Sequence, residues 1–166
     1  FPGENCIAET QLAAWREAKA SLARGEKPAQ NLFTGLVSYA DTVGCVVWDG
    51  HGLTAASSTG GCSLKLPGRV GDTPSLGGGV YATGHSAVVC TGVGEAFIET
   101  LTAKFVDEQI TGGAHPQQAV EKALQRLARL KKAQGGILAI DYRGRQGAVF
   151  NAGQFPVVVA EDGRIL

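Results

Sequence analysis

The chain contains the stretch TVGCVVWDGHGLTAASS, residues 42–58, which has the pattern of two strands around a polar turn. Val43–Trp48 and Leu53–Ser58 are rich in β-branched and small residues, and the turn between them carries two glycines. Paired apolar runs around a glycine-containing turn are typical of β-hairpins. We therefore expect an antiparallel hairpin here, with Thr42 immediately before its first strand.

The residues on either side of this hairpin predict a helix, a linker and a long loop. Residues 8–24 have an amphipathic period, and Gly25 follows as a helix stop. Residues 25–41 lack a clean period and contain Pro28 and Gly35, so we expect a linker. Residues 60–84 are rich in glycine and poor in large apolar groups, which predicts a loop long enough to carry function.

The second half of the chain groups its helices between strands. Ser86–Cys90 predicts a third strand, and a helix is expected from Glu95 to about Thr111 with Phe97, Leu101 and Phe105 buried. A second helix begins at Pro116, where a missing N–H costs nothing, and carries an apolar stripe ending at Leu130. Gly135-Gly136 should end that helix.

The C-terminal region predicts a second hairpin. Its strands are Ile137–Asp141 and Ala148–Phe150, and Pro156–Ala160 predicts a short edge strand. Consecutive strands with grouped helices fit an α+β fold, in which an antiparallel sheet is covered by helices. The alternation of a Rossmann domain and the phosphate-binding glycine motifs are both absent.

Composition excludes several classes of partner. The chain has 166 residues, of which 44% are hydrophobic and 18% charged, which predicts a globular domain. Fifteen basic residues balance fifteen acidic ones, so neither nucleic acid nor an anionic membrane is an expected partner. The chain starts with Phe1 and has no methionine, from which we expect it to be the C-terminal part of a longer product.

The cysteines and histidines do not predict a metal site. The spacings of the four cysteines match no zinc pattern, and Cys45 and Cys90 are expected to be buried reduced thiols in strands. His51, His85 and His115 lie at turns or element starts, where solvated or capping roles are expected.

Two groups of residues could carry chemistry. Thr42 enters a strand, which is an ordinary structural position for a β-branched residue. If the bond before it is cut, its free α-amine, with a pKa of about 8, could act as the base for its own hydroxyl. Arg69 and Asp72 lie in the glycine-rich loop predicted at residues 60–84, which we call the glycine loop. They could bind the carboxylate and the ammonium of an amino acid, or form a salt bridge within the loop.

Four blocks resemble the plant-type, N-terminal-nucleophile asparaginases, which are also isoaspartyl (β-aspartyl) peptidases. They occur in the family's order and spacing. The blocks are Thr42-Val43-Gly44, Ser58-Thr59-Gly60-Gly61, the run from Lys65 to Pro74 (KLPGRVGDTP), and Cys90-Thr91-Gly92-Val93-Gly94-Glu95. Weaker similarity continues to the C-terminus. The residue before the threonine differs from the plant-type pattern. Aspartate there, as in Asp41, is similar to the glycosylasparaginases and to threonine aspartase.

The resemblance implies a role for each matching residue. Self-cleavage at Asp41-Thr42 would make Thr42 the nucleophile. Thr59 would form hydrogen bonds around this nucleophile. Arg69 would hold the substrate α-carboxylate, Asp72 its α-ammonium, and Gly94 would line the same pocket. Thr91 and Gly92 would form the oxyanion hole. The expected reaction is hydrolysis of the side-chain amide of L-asparagine or of a β-aspartyl peptide, and the expected product is L-aspartate.

The resemblance also implies an architecture. Residues 1–41 would be the end of an α-subunit region with its linker, and 42–166 the β-subunit-like part of an αββα sandwich. The N-terminal α part of the same precursor is the expected partner, in a dimer of heterodimers. No cofactor is required, and a structural monovalent cation, if one is present, would lie in that α part. We expect a cytoplasmic protein, with a secreted or lysosomal form left open. The alternatives are an amino-acid-binding fragment without catalysis and a glycosylasparaginase-like or threonine-aspartase-like hydrolase.

Overall fold

The computed structural model describes residues 9–26, 42–62, 65–153 and 155–165. They fall into two compact units. The smaller unit contains helix α1, Glu9–Ala23, and described residues of 61–69. As predicted, Gly25 terminates α1: it lies just after the helix, has a φ of 73° and donates its N–H to the carbonyl of Leu22. Residues 27–41 of the predicted linker lie outside the described ranges, so the division of the chain at Thr42 stays a prediction.

The larger unit begins with the predicted hairpin, which the structure confirms with the same bounds. Strand β1, Val43–Trp48, pairs antiparallel with β2, Leu53–Ser58, from Val43 opposite Ser58 to Trp48 opposite Leu53. The Asp49 carboxylate accepts hydrogen bonds from the backbone N–H groups of His51 and Gly52. These bonds lower the pKa of Asp49, the larger contribution coming from Gly52, and fix the turn.

A four-stranded antiparallel sheet forms the centre of this unit. Its order is β3, Val80–Ala82; β4, Ser86–Gly92; β5, Gly135–Asp141; and β6, Gln146–Phe150. The predicted α+β class is confirmed, and so is the predicted hairpin, which β5 and β6 form. Two predictions need correction: residues 80–82 of the predicted loop form an edge strand, and Gly135-Gly136 starts β5 rather than ending a helix.

Three helices lie between β4 and β5 in the chain. They are α2, Gly94–Thr100; α3, Thr102–Thr111; and α4, Pro116–Lys131. The predicted single helix from Glu95 to Thr111 is therefore wrong, because Leu101 adopts a left-handed conformation with φ of 47° and is 47% exposed. The glycine loop stabilises the break between α2 and α3, since the carbonyls of Gly77 and Gly78 accept hydrogen bonds from the N–H groups of Lys104 and Ala103.

Helix α4 forms as predicted from Pro116. His115 is its N-cap and accepts the N–H of Gln117 on Nδ1, so the capping role expected for this histidine is confirmed. Its stripe from Val120 to Leu127 is buried, whereas Leu130 is exposed. The core lies between the helices and one face of the sheet. Its largest fully buried apolar side chains are Phe97, Leu127, Ile137, Val88, Val106 and Val120.

The β1–β2 hairpin packs on the other face of the sheet. Val88 and Cys90 belong to the core on the helix side, so Val89 and Thr91 point to the opposite side because side chains alternate along a strand. A Cβ placed on Gly44 would lie 2.8 Å from Val89 Cγ2, and one on Gly144 would lie 3.1 Å from the Trp48 ring. The larger unit is thus layered as hairpin, sheet and helices.

The C-terminal segment differs from its prediction. No strand occurs in 155–159, so the expected edge strand at Pro156–Ala160 is wrong; Ala160–Glu161, β7, pairs instead with Arg164–Ile165, β8. The expected burial of Cys90 is confirmed, and that of Cys45 is wrong, because Cys45 is exposed on the outer face of β1. No helix in the described ranges combines the length and apolar composition needed to cross a bilayer.

Candidate active site

Thr42 and Thr59 meet at the open end of the β1–β2 hairpin. Each residue lies one position beyond the Val43–Ser58 pair, so the strand register sets them opposite one another. Both are half-buried, and the Thr42 hydroxyl donates to Thr59 Oγ1 at 3.1 Å. The 17-residue spacing seen in the sequence is thus the length of one hairpin, and it holds the Thr42 hydroxyl in a defined direction.

The direction of β1 brings Thr42 to the same end of the sheet as Thr91. Trp48 packs by Gly144, in the turn next to Asp141, and Asp141 pairs with Ser86 at the start of β4. Gly44 lies over Val89, further along β4. Thr42 therefore extends towards the Thr91–Gly92 end of β4. Since Thr91 also points to the hairpin side of the sheet, both hydroxyl side chains belong to the space between the two strand layers.

Thr91, Gly92 and Val93 form the connection from β4 to α2, which we call the Thr91–Val93 turn. Gly92 has a φ of 145°, a backbone conformation that favours glycine. Thr91 pairs with Gly136 and Gly92 with Gly135 on β5, and the Val93 N–H donates to Gln134 O at 3.1 Å. The turn is therefore held by backbone contacts along one side.

The glycine loop reaches this region through Asp72. Asp72 is buried, with 7% exposure, and a Cβ on Gly94 would come within 2.7 Å of its Oδ1. Glycine at position 94 thus lets the Asp72 carboxylate approach the first residue of α2. A Cβ on Gly79 would lie 2.2 Å from Asp72 O, and Gly79 O accepts the N–H of Cys90. These close approaches fix the loop against β4 beside Thr91.

Ser57 is a residue of this site that the sequence did not reveal. It lies two positions before Thr59 on the same face of β2, and its hydroxyl donates to Thr73 O at 3.2 Å. The bond ties the Asp72–Thr73 backbone to the strand that carries Thr59. A serine at the end of an alternating strand gives no signal for such a contact; only the fold of the loop creates it.

The electrostatics of the site include one strongly shifted group. Burial first, and then the charge of Asp72, raise the pKa of the Cys90 thiol well above its usual range. Cys90 therefore stays protonated at neutral pH and is not an available thiolate nucleophile. Within the described ranges, no three histidine, cysteine, aspartate or glutamate residues cluster closely enough to hold a metal ion.

Among the sequence-predicted residues, the structure shows two direct contacts, Thr42 with Thr59 and Gly94 with Asp72. Thr42, Thr59, Asp72, Thr91, Gly92 and Gly94 all belong to the larger unit. Arg69 is half-buried in the smaller unit, and Asp41 lies outside the described ranges. The arrangement offers a directed hydroxyl, a second hydroxyl, a backbone turn before a helix and a buried carboxylate.

The asparaginase family model matches residues 2–165. The chain belongs to the asparaginase family. It is 35% identical over 169 residues to the plant-type L-asparaginase of Pyrococcus horikoshii, an alignment that covers 98% of this chain and 55% of that protein.

Other relatives carry two kinds of name. The plant-type L-asparaginase of Thermococcus kodakarensis is 34% identical over 164 residues, covering 95% of this chain and 54% of that protein. The isoaspartyl peptidase of Salmonella typhimurium is 44% identical over 114 residues, covering 67% and 36%. The chain thus spans about half the length of the plant-type relatives it matches.

Proposed function

We propose that this chain is the nucleophile-bearing part of a hydrolase that cleaves the side-chain amide of L-asparagine, β-aspartyl peptides, or both. The observation that carries the proposal is the placement of Thr42. Its hydroxyl is bonded to Thr59 and lies at the end of the two strand layers where the Thr91–Val93 turn is found. The names of the family relatives support the substrate class.

Activation requires a free amine on Thr42. In the proposed self-cleavage, Thr42 Oγ1 attacks the carbonyl carbon of Asp41, and the acyl group moves from nitrogen to oxygen. Water then hydrolyses the ester and leaves Thr42 as a new N-terminus. The released α-amine, with a pKa of about 8, is partly neutral at neutral pH and can accept the proton of its own hydroxyl.

The hydrolytic cycle then has two acyl-transfer steps. Thr42 Oγ1 attacks the side-chain carbonyl of the substrate, while the amine takes the hydroxyl proton and passes it to the departing ammonia or amino acid. The Thr91 hydroxyl and the Gly92 N–H stabilise the developing oxyanion, each donor typically worth about 3 kcal/mol. Water attacks the resulting β-aspartyl ester and releases L-aspartate.

Substrate recognition is assigned to the charged pair on the glycine loop. The planar guanidinium of Arg69 suits an α-carboxylate, and the Asp72 carboxylate suits an α-ammonium. The buried position of Asp72 supports this role, since a buried carboxylate next to a bound cation is a stronger anchor than an exposed one. The substrate is thus an amino acid with free α-groups, attacked at its side chain, and none of these steps needs a cofactor.

The proposed working assembly includes the N-terminal α part of the same precursor. In this proposal the helices, the sheet and the hairpin of the larger unit would be three of the four layers of an αββα sandwich. The second helical layer would pack on the outer face of the hairpin. The relatives are about twice as long as the matched region, which supports a missing α part. We further propose a dimer of such heterodimers, located in the cytoplasm.

A rate comparison tests the function. The complete protein is incubated with L-asparagine, β-aspartyl-leucine and glycosylasparagine, and aspartate release is measured for each. We expect turnover of one or both of the first two, and none with Thr42→Ala. Processed protein that acts only on glycosylasparagine, or that acts on none of the three, would reject the proposed substrate class.

A further inference from the structure

The Thr91–Val93 turn is shaped by the backbone segment behind it, residues 133–135, which leads into β5. A Cβ on Gly92 would lie 2.3 Å from Gln134 O, and a Cβ on Gly135 would lie 2.4 Å from Thr91 O. Val93 also donates its N–H to Gln134 O. Because the two backbones are in such close contact, a displacement of residues 133–135 must also displace the Thr91–Val93 turn.

Asn151 holds this segment in place from its other side. The side-chain Oδ1 of Asn151 accepts the Gly135 N–H at 2.8 Å, and the backbone N–H of Asn151 donates to Gly135 O at 3.0 Å. Its Nδ2 donates to Ala133 O at 3.4 Å. Asn151 directly follows β6, so it continues the β5–β6 pairing at the point where the regular ladder ends.

The side chain uses both halves of its amide. Aspartate at this position would keep the acceptor for Gly135 but lose the donor to Ala133, and alanine would lose both. Asn151 is also exposed to solvent, so removing its side chain leaves no cavity in the core. Its contribution is therefore confined to the hydrogen bonds that fix residues 133 and 135.

We propose that Asn151 is a positioning residue for the oxyanion-binding turn. It fixes Gly135, whose backbone in turn fixes the Thr91 carbonyl and the direction of the Gly92 N–H. The inference rests on the proposed function insofar as that turn binds an oxyanion. Asn151 is remote from the nucleophile in sequence, and no motif in the chain marks it.

The test compares Asn151→Ala with a matched control, Gln117→Ala. Gln117 also holds the β6 backbone by its side-chain amide: Oε1 accepts the Ala148 N–H at 3.0 Å, and Nε2 donates to Ala148 O at 3.2 Å. Both variants lose an amide that bonds to backbone, but only Asn151 adjoins the segment behind the turn. Both are made in the complete protein, and melting temperatures are recorded.

The kinetic readout is the split between kcat and KM. A misplaced oxyanion donor weakens binding of the transition state more than that of the substrate, so Asn151→Ala should lower kcat about ten- to a hundredfold, with KM changed less than about threefold. Gln117→Ala should change kcat less than about twofold. Asn151→Asp, which keeps the shorter bond to Gly135, should retain more kcat than Asn151→Ala. Equal kcat in Asn151→Ala and Gln117→Ala, or in the aspartate and alanine variants, would overturn the proposal.

A second readout does not depend on the substrate. Amide hydrogen exchange of peptides covering residues 91–97 should be faster in Asn151→Ala than in the unmodified protein and unchanged in Gln117→Ala, because the Val93 N–H loses a fixed acceptor. Unchanged exchange in Asn151→Ala would overturn the proposal even in an active enzyme. If the unmodified protein hydrolyses none of the substrates, the proposed function fails, and the exchange result still decides the role of Asn151.

Discussion

At the scale of single residues, the proposed mechanism depends on how one hydroxyl, that of Thr42, is directed. A threonine hydroxyl rotates freely unless a partner fixes it, and Thr59 Oγ1 is that partner for Thr42. The partner is itself fixed, because Thr59 directly follows β2, which Ser57 ties to the backbone of the glycine loop. Loss of one hydroxyl should therefore act on catalysis with little effect on the fold.

Replacing Thr59 with valine tests this directly. Valine keeps the shape of threonine and removes the acceptor for Thr42. A hydrogen bond worth about 1 kcal/mol corresponds to a loss in kcat of about five- to tenfold. Steady-state kinetics on L-asparagine would measure it. Thr111→Val is the control, since Thr111 lies outside the hairpin, at the end of α3, with its side chain exposed. Equal rates in the two variants would show that Thr59 does not orient the nucleophile.

The contact between Thr42 and Thr59 was implied by the family resemblance and not by the spacing alone. The structure explains it by the pairing of the predicted hairpin, which sets the two residues opposite one another. Burial was harder to predict, as Cys45 shows: it lies in an apolar strand, but its side chain points away from the sheet that covers the other face of β1. Sequence alone does not tell which face of a two-stranded hairpin is covered.

At the scale of elements, the packing of the hairpin on β4 sets the height of Thr42 above the sheet. Gly44 lets β1 approach so closely that a methyl group there would lie 2.8 Å from Val89 Cγ2. Thr42 lies two residues before this contact on the same face of β1. A change in hairpin packing should therefore reach both stability and activity.

The variant Gly44→Ala should lower stability and slow catalysis. Overpacking at such a contact typically costs about 1–3 kcal/mol of folding free energy. Adding Val89→Ala removes the two methyl groups that the new Cβ meets, so the double variant should recover part of both losses. Thermal unfolding and kcat would be measured together. Gly52→Ala, in the same hairpin with open space around it, is the control. Absence of recovery in the double variant would contradict this packing.

Elements were predicted well where the signal is local. The bounds of the first hairpin and the proline start of α4 follow from neighbouring residues. The break at Leu101 could not be predicted, because it depends on carbonyls of Gly77 and Gly78 far away in the chain. Gly135-Gly136 looked like a helix stop, yet these glycines are needed where Phe97 and Phe155 pack against β5. Tertiary contacts decided both positions.

At the scale of the whole molecule, the outer face of the hairpin is the surface on which the proposed α part would pack. Val43 is 67% exposed and Val47 45% exposed on this face, while the inner face packs on the sheet. Because side chains alternate along a strand, these two valines share one face of β1. In the proposed sandwich, helices of the α part would cover that face.

The chain expressed alone should therefore be inactive and prone to aggregation. Co-expression with the N-terminal part of its precursor should give a soluble complex that hydrolyses asparagine. Size-exclusion chromatography with light scattering would measure both states. Val43→Lys provides a control, because a charge on the outer hairpin face should improve the behaviour of the isolated chain and weaken the complex. A monodisperse, fully active chain without the α part would contradict the proposed assembly.

The most direct test of the proposed mechanism is N-terminal sequencing of the purified complete protein after incubation. We expect a new chain that begins Thr-Val-Gly-Cys at Thr42, appearing together with asparagine hydrolysis. The Thr42→Ala variant should remain uncut and inactive. A preparation that hydrolyses asparagine while Asp41-Thr42 stays intact, or that is cut at a different bond, would contradict the assignment of Thr42 as the N-terminal nucleophile.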